Sequence, residues 1–328
     1  MGHTYRYGEK GLVMKLALTI GAALLGLCLA PIPVFGAAFS QLIVYGDSWS
    51  DLGRASAATG GLFPPYNEGG GRLSNGPVWV EYLATRLGLT VAPDTNFAVG
   101  GAGTGTFNLG QSFVPGSTEL IGVATQVANN PVSDPDALYI LWAGANDYGF
   151  AGITDPATPV ANLTAHLTTL ISRGAQTILA PNLPNLGALP AALGTPLEAP
   201  ANLLTQGHNL GLSASISLLQ SNFPGVKIEF LDVNSFIGDI TVNPGAFGFA
   251  NVSEGCWLVS CAAPETYFYW DDVHFTTRGH QLIGDFAYQA VVPEPLTILG
   301  SLTAVGFGAA YKRRRNRGNL LAKDERRA

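Results

Sequence analysis

The sequence predicts an α/β fold, a single domain in which helices cover both faces of a mainly parallel sheet in a three-layer α/β/α arrangement. Three observations support this prediction. Apolar segments of strand length alternate with longer segments of helical periodicity. The strand segments are apolar throughout rather than at every second position, which is typical of strands buried on both faces. Polar and glycine-rich motifs follow them, as expected for a site at the carboxyl ends of parallel strands.

Five segments are short and apolar enough to be strands of that sheet. They are Leu42–Tyr45, Asn96–Val99, Ala137–Trp142, Gln176–Ala180 and Val226–Leu231. The longer segments carry apolar residues at helical spacing and are predicted helices. They are Pro77–Leu87, Thr118–Asn129, Pro159–Arg173, Ala199–Asn222 and Thr277–Val291. The glycine- and proline-rich stretch 59–76 is a long loop that we expect near the functional site.

The first 36 residues have the pattern of a secretory signal peptide. Residues 14–36 contain a lysine, an apolar core and then small residues that suit cleavage after Gly36. Translation is expected to start at Met14. An N-terminal membrane anchor is the alternative, but Pro31 and Pro33 interrupt the apolar run.

Residues 293–328 combine a Pro-Glu-Pro box, the apolar segment Leu296–Tyr311 and an arginine-rich tail. The apolar segment is short for a membrane span, and the basic tail would hold its end on the cytoplasmic side. This order of parts resembles the PEP-CTERM sorting signal of Gram-negative bacteria. The resemblance implies transient anchoring of residues 296–311 in the inner membrane, cleavage by exosortase-type sorting machinery, and export to the cell surface or extracellular matrix. A permanent C-terminal anchor is the alternative.

The predicted mature domain, residues 37–292, is strongly acidic. It contains six basic and 19 acidic residues, a net charge of −13, whereas the whole chain carries −6. Such a surface repels phosphate backbones, which argues against nucleic acid as a partner. Cys256 and Cys261 form an even pair in a protein predicted to be exported, so we expect a disulfide between them. Two unpaired thiols are the alternative.

The stretch LIVYGDSWSDLG, residues 42–53, runs from an apolar strand into a sharp turn that contains Ser48. A serine becomes a nucleophile when a base removes its proton and a third group orients that base. His166 and His208 lie within predicted helices, where a surface or core histidine is the default. His274 follows a loop and precedes the last helix, and Asp271 stands three residues before it. Their spacing allows the carboxylate to reach the imidazole.

Acyl transfer also needs hydrogen-bond donors for the oxyanion that develops on the substrate. The stretch NFAVGGAGTG, residues 96–105, follows a predicted strand with glycines whose N–H groups can approach a cavity closely. The stretch LWAGANDY, residues 141–148, ends the central predicted strand and offers the side-chain amide of Asn146.

These stretches, in this order, resemble the blocks of the SGNH or GDSL-type hydrolases. GDSWSD matches the nucleophile block, NFAVGGAG the glycine block, GAND the asparagine block and DDVH the Asp-x-x-His block. Residues 70–84 also resemble the segment that follows the nucleophile in the lipase-like branch. The resemblance spans nearly all of residues 41–290. It implies a flavodoxin-like sandwich with five parallel strands, in agreement with the five predicted strand segments.

The resemblance implies a role for each matching residue. Ser48 would be the nucleophile, His274 the general base and acid, and Asp271 the partner that orients the imidazole. The oxyanion would be held by the backbone N–H groups of Ser48 and Gly101 and by the side chain of Asn146. No metal or cofactor is required for this chemistry.

Two residues depart from the family pattern, and two others are additional carboxylates near the motifs. Trp49 replaces the leucine of the GDSL name, and Phe275 stands where many members have proline. Neither change removes a reactive group, so both are expected to affect the shape of the site. Asp47 is interpreted as a residue that stabilises the turn. Asp272 is interpreted as solvated or as a cap of the last helix.

Three other functions compete with ester hydrolysis. GGAGTG resembles a dinucleotide-binding loop, but Glu119 falls at a helix start rather than at the end of a following strand. A metal site on Asp271, His274 and His280 lacks the spacing of histidines on one helical face, and His280 is expected to pack within the last helix. A matrix protein of the same fold without activity would have no need of the complete set of predicted site residues.

The sequence indicates only the class of substrate. Five aromatic residues near the motifs could line an apolar acyl pocket or could equally belong to the core: Trp49, Phe63, Tyr66, Trp142 and Tyr148. A small-molecule or lipid ester is the first hypothesis. O-acetyl groups on an exported polysaccharide are the second, because of the resemblance to a sorting signal.

Overall fold

The computed structural model describes residues 39–66 and 68–292. In these residues four parallel strands form the main sheet in the order β1-β2-β3-β4. The strands are β1, Leu42–Gly46; β2, Leu138–Trp142; β3, Thr177–Pro181; and β4, Lys227–Leu231. Leu42 lies opposite Leu138 in the first pair, and Thr177 lies opposite both Leu138 and Lys227 in the next two. The predicted α/β class with a parallel sheet is confirmed.

The fifth predicted strand, Asn96–Val99, is not a regular strand in the structure, and this part of the prediction is wrong. The chain does lie beside β1, where the N–H of Val44 donates to Thr95 and Phe97 donates back to Val44. Only a single bridge, between Val44 and Asn96, results. The N–H of Val99 also donates to the carbonyl oxygen of Gly46 at 3.2 Å, so the segment follows the edge of β1 without forming a regular strand.

Helices occupy both faces of the sheet. Those within the described residues are α1, Arg54–Ala58; α2, Trp79–Arg86; α3, Val123–Asn129; α4, Ala145–Gly149; α5, Ala157–Ser172; α6, Glu198–Asn222; α7, Val233–Val242; and α8, Thr277–Val291. All five predicted helices are present. Helix α3 begins later than predicted because the side chain of Gln111 binds the carbonyl groups of Ser117 and Leu120, which fixes that segment as a loop.

The side chains of β1 alternate between two cores, which defines the three layers. Leu42 and Val44 face the core to which α2, α7 and α8 contribute. Ile43 and Tyr45 face the opposite core, to which α3, α5 and α6 contribute. Both faces of the strand are therefore buried, as its continuous apolar sequence predicts.

A second, two-stranded sheet lies between β4 and α8 in the chain. It pairs β5, Asn251–Gly255, with β6, Tyr267–Tyr269. The predicted disulfide is present between Cys256 and Cys261, immediately after β5. It closes a short loop, residues 257–260.

The predicted signal peptide, residues 1–36, and the predicted sorting signal, residues 293–328, lie outside the described residues. Among residues 39–66 and 68–292, none of the helices has the length and apolar character to cross a membrane.

Helices α2 and α8 approach so closely that position 284 of α8 requires glycine. A Cβ on Gly284 would lie 2.7 Å from the carbonyl oxygen of Trp79 and 2.8 Å from Cβ of Tyr82. Gly238 in α7 has no atom within 4 Å of the corresponding point. The two glycines therefore form a matched pair for measuring the cost of this approach.

We expect Gly284→Ala to lower the free energy of unfolding by about 1–3 kcal/mol, because the added methyl group overpacks the helix pair. Gly238→Ala should leave stability unchanged or raise it by up to about 1 kcal/mol, because alanine favours a helix and has room there. Chemical denaturation of both variants measures the difference. Equal effects would contradict the close packing of α2 and α8.

Candidate active site

Ser48 lies in a tight turn immediately after β1. Gly46 ends the strand without space for a side chain, because its Cβ would lie 2.5 Å from the carbonyl oxygen of Trp142. The carboxylate of Asp47 accepts the N–H of Trp49 at 3.1 Å and so closes the turn around the serine. Ser48 is 7% exposed. The turn therefore holds the predicted nucleophile, still partly accessible, at the carboxyl end of the sheet.

Asp51 joins this turn to the glycine block. One of its carboxylate oxygens accepts the N–H groups of Gly53 and Arg54, and the other accepts those of Ala55 and Gly100, all at 2.6–2.9 Å. The side chain is completely buried, and burial raises its pKa even though the four donors oppose that shift. A single carboxyl group thus fixes the start of α1 and the loop that carries Gly101.

Asp271 and His274 form the predicted carboxylate–imidazole pair. Nδ1 of His274 lies 2.7 Å from one carboxylate oxygen of Asp271 and 2.9 Å from the other. Asp271 also accepts the N–H groups of Val273 and His274, which folds the Asp-x-x-His segment into one turn. Because Nδ1 is engaged, Nε2 is the nitrogen left for a substrate or a serine.

Each member of the pair stabilises the charged form of the other. Burial alone would raise the pKa of Asp271, but the charge and hydrogen bond of His274 hold it below its ordinary value. Burial would lower the pKa of His274, but the charge and hydrogen bond of Asp271 raise it above its ordinary value. The imidazole is therefore prepared to accept a proton.

The nucleophile turn and the histidine loop meet through the residues next to Ser48 and His274. The indole N–H of Trp49 donates to the carbonyl oxygen of Val273 at 3.2 Å. The rings of Trp49 and Phe275 stack with centroids 5.7 Å apart. The structure therefore brings the segments that contain the predicted nucleophile and base side by side, although 224 residues separate Trp49 from Val273.

The two departures from the family pattern are thus in contact with each other. Trp49 is 2% exposed and Phe275 is fully buried, so they form part of the core beneath the site rather than a lining that substrate would touch. Their contact joins the segment that contains Ser48 to the segment that contains His274, and their expected effect on the shape of the site stays a prediction.

The predicted oxyanion donors lie on the segments that adjoin this junction. The side-chain N–H₂ of Asn146 donates to the carbonyl oxygen of Ala102 at 3.0 Å and lies 3.4 Å from the carboxylate of Asp47. It is therefore held between the glycine block and the nucleophile turn. The backbone N–H groups of Ser48 and Gly101 donate to no other group within residues 39–66 and 68–292, so both are available to a substrate.

Asn108 fixes the conformation of the glycine block. Its side-chain N–H₂ donates to the carbonyl oxygens of Gly100 and Ile121, and its side-chain oxygen accepts the N–H of Gly110. Gly101 has a positive φ of 82°, and a Cβ there would lie 3.1 Å from the Asn108 oxygen. Backbone conformation and space therefore both require glycine at position 101.

The two additional carboxylates differ in their surroundings. Burial raises the pKa of Asp47 to about 7, and the bond to Trp49 agrees with its predicted role in the turn. Asp272 is exposed, which agrees with the interpretation that it is solvated rather than a helix cap. The cap of α8 is instead Thr276, whose hydroxyl accepts the N–H of Gly279 at 3.1 Å.

Tyr66 is a site residue that the sequence indicates only as one of several aromatic candidates. Its hydroxyl donates to Asp271 at 3.0 Å, on the same oxygen that lies closest to His274. Burial and the charge of Asp271 raise the pKa of Tyr66, which keeps the hydroxyl protonated as a donor. The loop 59–76 is therefore close to the site, as expected.

The remaining aromatic candidates divide between core and surface. Trp49, Tyr66 and Trp142 are almost completely buried, which favours the core alternative for these three. Phe63 and Tyr148 are partly exposed. Only the latter two remain candidates for contact with an acyl chain.

The other histidines have structural surroundings. His208 accepts or donates a hydrogen bond with the hydroxyl of Tyr148 at 2.9 Å, and burial lowers its pKa to about 4. His166 contacts the carbonyl oxygen of Thr104. Burial lowers the pKa of His280 to about 3, and the ring packs within α8 as predicted. Within the part of the chain that the structure describes, histidine, cysteine and acidic side chains form no cluster of three suited to a metal ion.

Comparison with known proteins assigns the family. The model of the GDSL-like Lipase/Acylhydrolase family matches residues 42–287, most of the chain. The chain belongs to this family. The matched region contains all of the predicted site residues, and the predicted class of enzyme, a carboxylic ester hydrolase, is confirmed at the level of the family.

Several curated proteins are similar over much of the chain. A phosphatidylcholine-sterol acyltransferase of Aeromonas hydrophila is 31% identical over 67% of this chain and 66% of its own length. Esterase EstA of Pseudomonas aeruginosa is 27% identical over 84% of this chain and 50% of its own length. A GDSL esterase/lipase of Arabidopsis thaliana is 27% identical over 74% of this chain and 87% of its own length. The chain thus spans less than two thirds of the length of some of these relatives.

Solved structures of esterases are also similar. The aryl esterase of M. smegmatis matches with a TM-score of 0.46 and 16% identity, over 76% of this chain and 97% of that one. An acetylxylan esterase of Geobacillus stearothermophilus matches with a TM-score of 0.42 and 14% identity, over 77% and 94%.

We expect Tyr66→Phe to reduce kcat about tenfold, because a hydrogen bond to a buried charged group is lost and Asp271 orients the imidazole less firmly. The uncompensated carboxylate should also raise the pKa of His274 further, which moves the acidic limb of the kcat/KM profile to higher pH. Steady-state kinetics between pH 5 and about 9 measure both effects.

Tyr45→Phe is the matched control, because Tyr45 is buried and its hydroxyl donates one hydrogen bond, to the carbonyl oxygen of Asn130 at 2.8 Å. Each of the two variants loses one buried hydrogen bond, so both should lower the free energy of unfolding by a similar amount. Tyr45→Phe should leave kcat and the pH profile unchanged. If Tyr66→Phe behaved in the same way as the control, the role of Tyr66 would be structural only.

Proposed function

We propose that this chain is an exported serine esterase of the lipase type, which cleaves carboxylic esters through an acyl-enzyme. The observation that carries the proposal is the hydrogen bond from Trp49 to Val273. It joins the turn that contains Ser48 to the loop in which Asp271 and His274 form their buried pair. Membership in the GDSL-like Lipase/Acylhydrolase family supports the same chemistry.

In the first step, the hydroxyl of Ser48 attacks the ester carbonyl carbon while Nε2 of His274 accepts its proton. The negative charge that develops on the carbonyl oxygen is stabilised by the N–H groups of Ser48 and Gly101 and by the amide of Asn146. Asp271 remains ionised and stabilises the imidazolium. In the structure the amide of Asn146 donates to Ala102 at 3.0 Å and makes a longer contact of 3.4 Å with Asp47, so the proposal requires an oxyanion to replace the weaker contact.

In the second step, the tetrahedral intermediate collapses and the bond to the alcohol breaks. The imidazolium of His274 donates its proton to the departing oxygen, and the acyl group remains on Ser48. A water molecule then attacks the acyl-enzyme, again with His274 as base, and the acid is released. Side chains and backbone groups of the chain account for every proton transfer.

The proposed substrate is a lipid or short-chain ester. The alternative is an O-acetyl ester of an exported polysaccharide, which the resemblance of residues 293–328 to a sorting signal favours. A panel of p-nitrophenyl esters of increasing chain length, measured beside an acetylated polysaccharide, separates the two. A preference for the polymer would replace the lipase-type substrate with the polysaccharide. A non-catalytic matrix protein would hydrolyse neither and would not react with a fluorophosphonate at Ser48.

Export belongs to the same proposal. The signal-peptide pattern of residues 14–36 and the order of parts in residues 293–328 support transfer across the inner membrane and final location at the cell surface or in the matrix. The disulfide between Cys256 and Cys261 agrees with an oxidising compartment. Fractionation of cells that express the chain with and without residues 293–328 tests the sorting step.

We expect Ser48→Ala to reduce kcat by roughly 10³ or more, because the catalytic groups act as a unit. Asn146→Ala should reduce kcat by about 10²–10³, as for the loss of one oxyanion donor. Hydrolysis of a soluble p-nitrophenyl ester measures both. Turnover close to that of the wild type in either variant would remove the corresponding residue from the mechanism.

The pH dependence follows from the raised pKa of His274. The imidazole must be neutral to accept the serine proton, so kcat/KM should fall as pH decreases through an apparent pKa above 6.5, the ordinary value for histidine. The charge of Asp47 contributes to this rise, so Asp47→Asn should move the acidic limb to lower pH.

Asp285→Asn is the control for this measurement, because Asp285 pairs with Arg86 on the surface of α8. It should leave the limb in place. An acidic limb at or below 6.5 in the wild type, or no shift in Asp47→Asn, would contradict the proposed electrostatics.

A further inference from the structure

Three consecutive apolar side chains are exposed on the loop that the disulfide closes. Trp257 is 37% exposed, Leu258 53% and Val259 48%. We refer to these three residues as the apolar tip. Exposed single apolar residues are common on soluble proteins, but a continuous exposed group of large side chains indicates an interaction surface.

The structure holds the apolar tip outward. Cys256 and Cys261 are joined by the disulfide and by a hydrogen bond from the N–H of Cys261 to the carbonyl oxygen of Cys256 at 2.9 Å. The N–H of Trp257 donates to Trp270 at 2.8 Å, and that of Val259 donates to Gly255 at 3.2 Å. A loop fixed at both ends in this way cannot fold its apolar side chains into the core.

The apolar tip is close to the candidate active site. The ring of Trp257 packs on Tyr66 with centroids 5.4 Å apart, and the hydroxyl of Tyr66 binds Asp271. Two more exposed apolar residues belong to loop 59–76, which carries Tyr66, or contact it: Leu62 lies within the loop, and the ring of Phe113 stacks on Phe63 with centroids 5.6 Å apart. Four residues separate Leu62 from Tyr66, so their Cα atoms are at most about 14 Å apart. Exposed apolar groups thus occur near the site on two segments.

The chemistry of the apolar tip favours an uncharged lipid surface as its partner. Residues 255–263 carry no charge, and exposed carboxylates flank them at Glu254 and Glu265. A projecting loop is shaped to enter a soft surface, whereas a small ligand needs a concave site. Tryptophan favours the interface between lipid and water. The flanking carboxylates and the net charge of −13 for residues 37–292 oppose an anionic membrane.

We propose that the apolar tip docks this protein onto a neutral or zwitterionic lipid surface and thereby presents the site at Ser48 to esters within that surface. The inference rests on the proposed function, because it names the physical state of the substrate. The proposal distinguishes the catalytic activity of the protein from its binding to a lipid surface. Hydrolysis of a dissolved ester needs the catalytic residues alone, whereas hydrolysis of an ester in a lipid particle also needs the apolar tip.

The test uses the double variant Leu258→Ser/Val259→Ser, which keeps the disulfide and the contact of Trp257 with Tyr66. We measure co-flotation of the protein with phosphatidylcholine vesicles, hydrolysis of a long-chain ester carried in those vesicles, and hydrolysis of dissolved p-nitrophenyl butyrate. The expected result is at least a tenfold loss of vesicle binding and of vesicle-ester hydrolysis. Activity on the dissolved ester should stay within about twofold of the wild type.

The matched control is Leu218→Ser/Val242→Ser, which removes the same two side-chain types from exposed positions, 62% and 76% exposed. Leu218 and Val242 lie toward the ends of α6 and α7, both of which follow the carboxyl end of a strand and run back along the sheet away from the site. This control should bind vesicles and hydrolyse both esters like the wild type.

Several results would overturn the proposal. Equal losses in the two double variants would show a general surface effect. Stronger binding of the wild type to phosphatidylglycerol than to phosphatidylcholine would contradict the uncharged partner. A wild-type dimer that the tip variant dissolves would identify a second copy as the partner, and retention on acetylated polysaccharide instead of vesicles would identify a polymer. Failure of the proposed function is distinct, because a wild-type protein without esterase activity would hydrolyse neither form of ester.

Discussion

The arrangement of the site depends on the contact between Trp49 and the segment around His274. A parallel sheet delivers each strand end to the same edge, but it does not bring a residue after the first strand to one before the last helix. The hydrogen bond from the indole of Trp49 to Val273, and the stacking of its ring on Phe275, supply that connection. It is the contact closest in sequence to both Ser48 and His274, and the bond from Tyr66 to Asp271 and that from Ser74 to the carbonyl oxygen of Phe275 support the same arrangement.

Buried carboxyl groups set the remaining geometry. Asp51 orders backbone N–H groups on both sides of the site, and Asp271 orders the turn that carries the imidazole. Both are removed from water, where an uncompensated carboxylate would be costly, and both are surrounded by donors that offset that cost. Asp47 has fewer partners, and burial raises its pKa to about 7. Of these three acids, only Asp271, which faces the imidazole of His274, has a pKa below its ordinary value.

The sequence predicts much of this structure because its signals are local. The apolar runs identify β1 to β4, and helical periodicity identifies α8 from Thr277 to Val291 as the structure has it. The Asp-x-x-His spacing leads directly to the observed pair, since one turn of chain contains both residues. Asp51 also stands inside the nucleophile block, and an acidic residue two positions before a glycine is a signal for local N–H binding that could have indicated its role.

Other features depend on contacts that no local pattern records. Tyr66 and Asp271 are 205 residues apart, and nothing in the sequence of either segment indicates the bond between them. The segment from Asn96 to Val99 is predicted as a strand, yet in the structure it follows the edge of β1 through a few hydrogen bonds and a single bridge. The apolar composition of a segment predicts that it is buried. The hydrogen-bond partner of a side chain depends on which distant segments the tertiary structure brings together.

The pairing of Trp49 with Phe275 has a consequence for how this chain can change over evolutionary time. A single exchange of Trp49 for the leucine found in many family members would remove the indole donor and the stacked ring in one step, and would leave a void beneath the site. The more common residue would therefore be the harmful one in this background. The cost of a change at either position therefore depends on the residue at the other, so the two positions are expected to be energetically coupled.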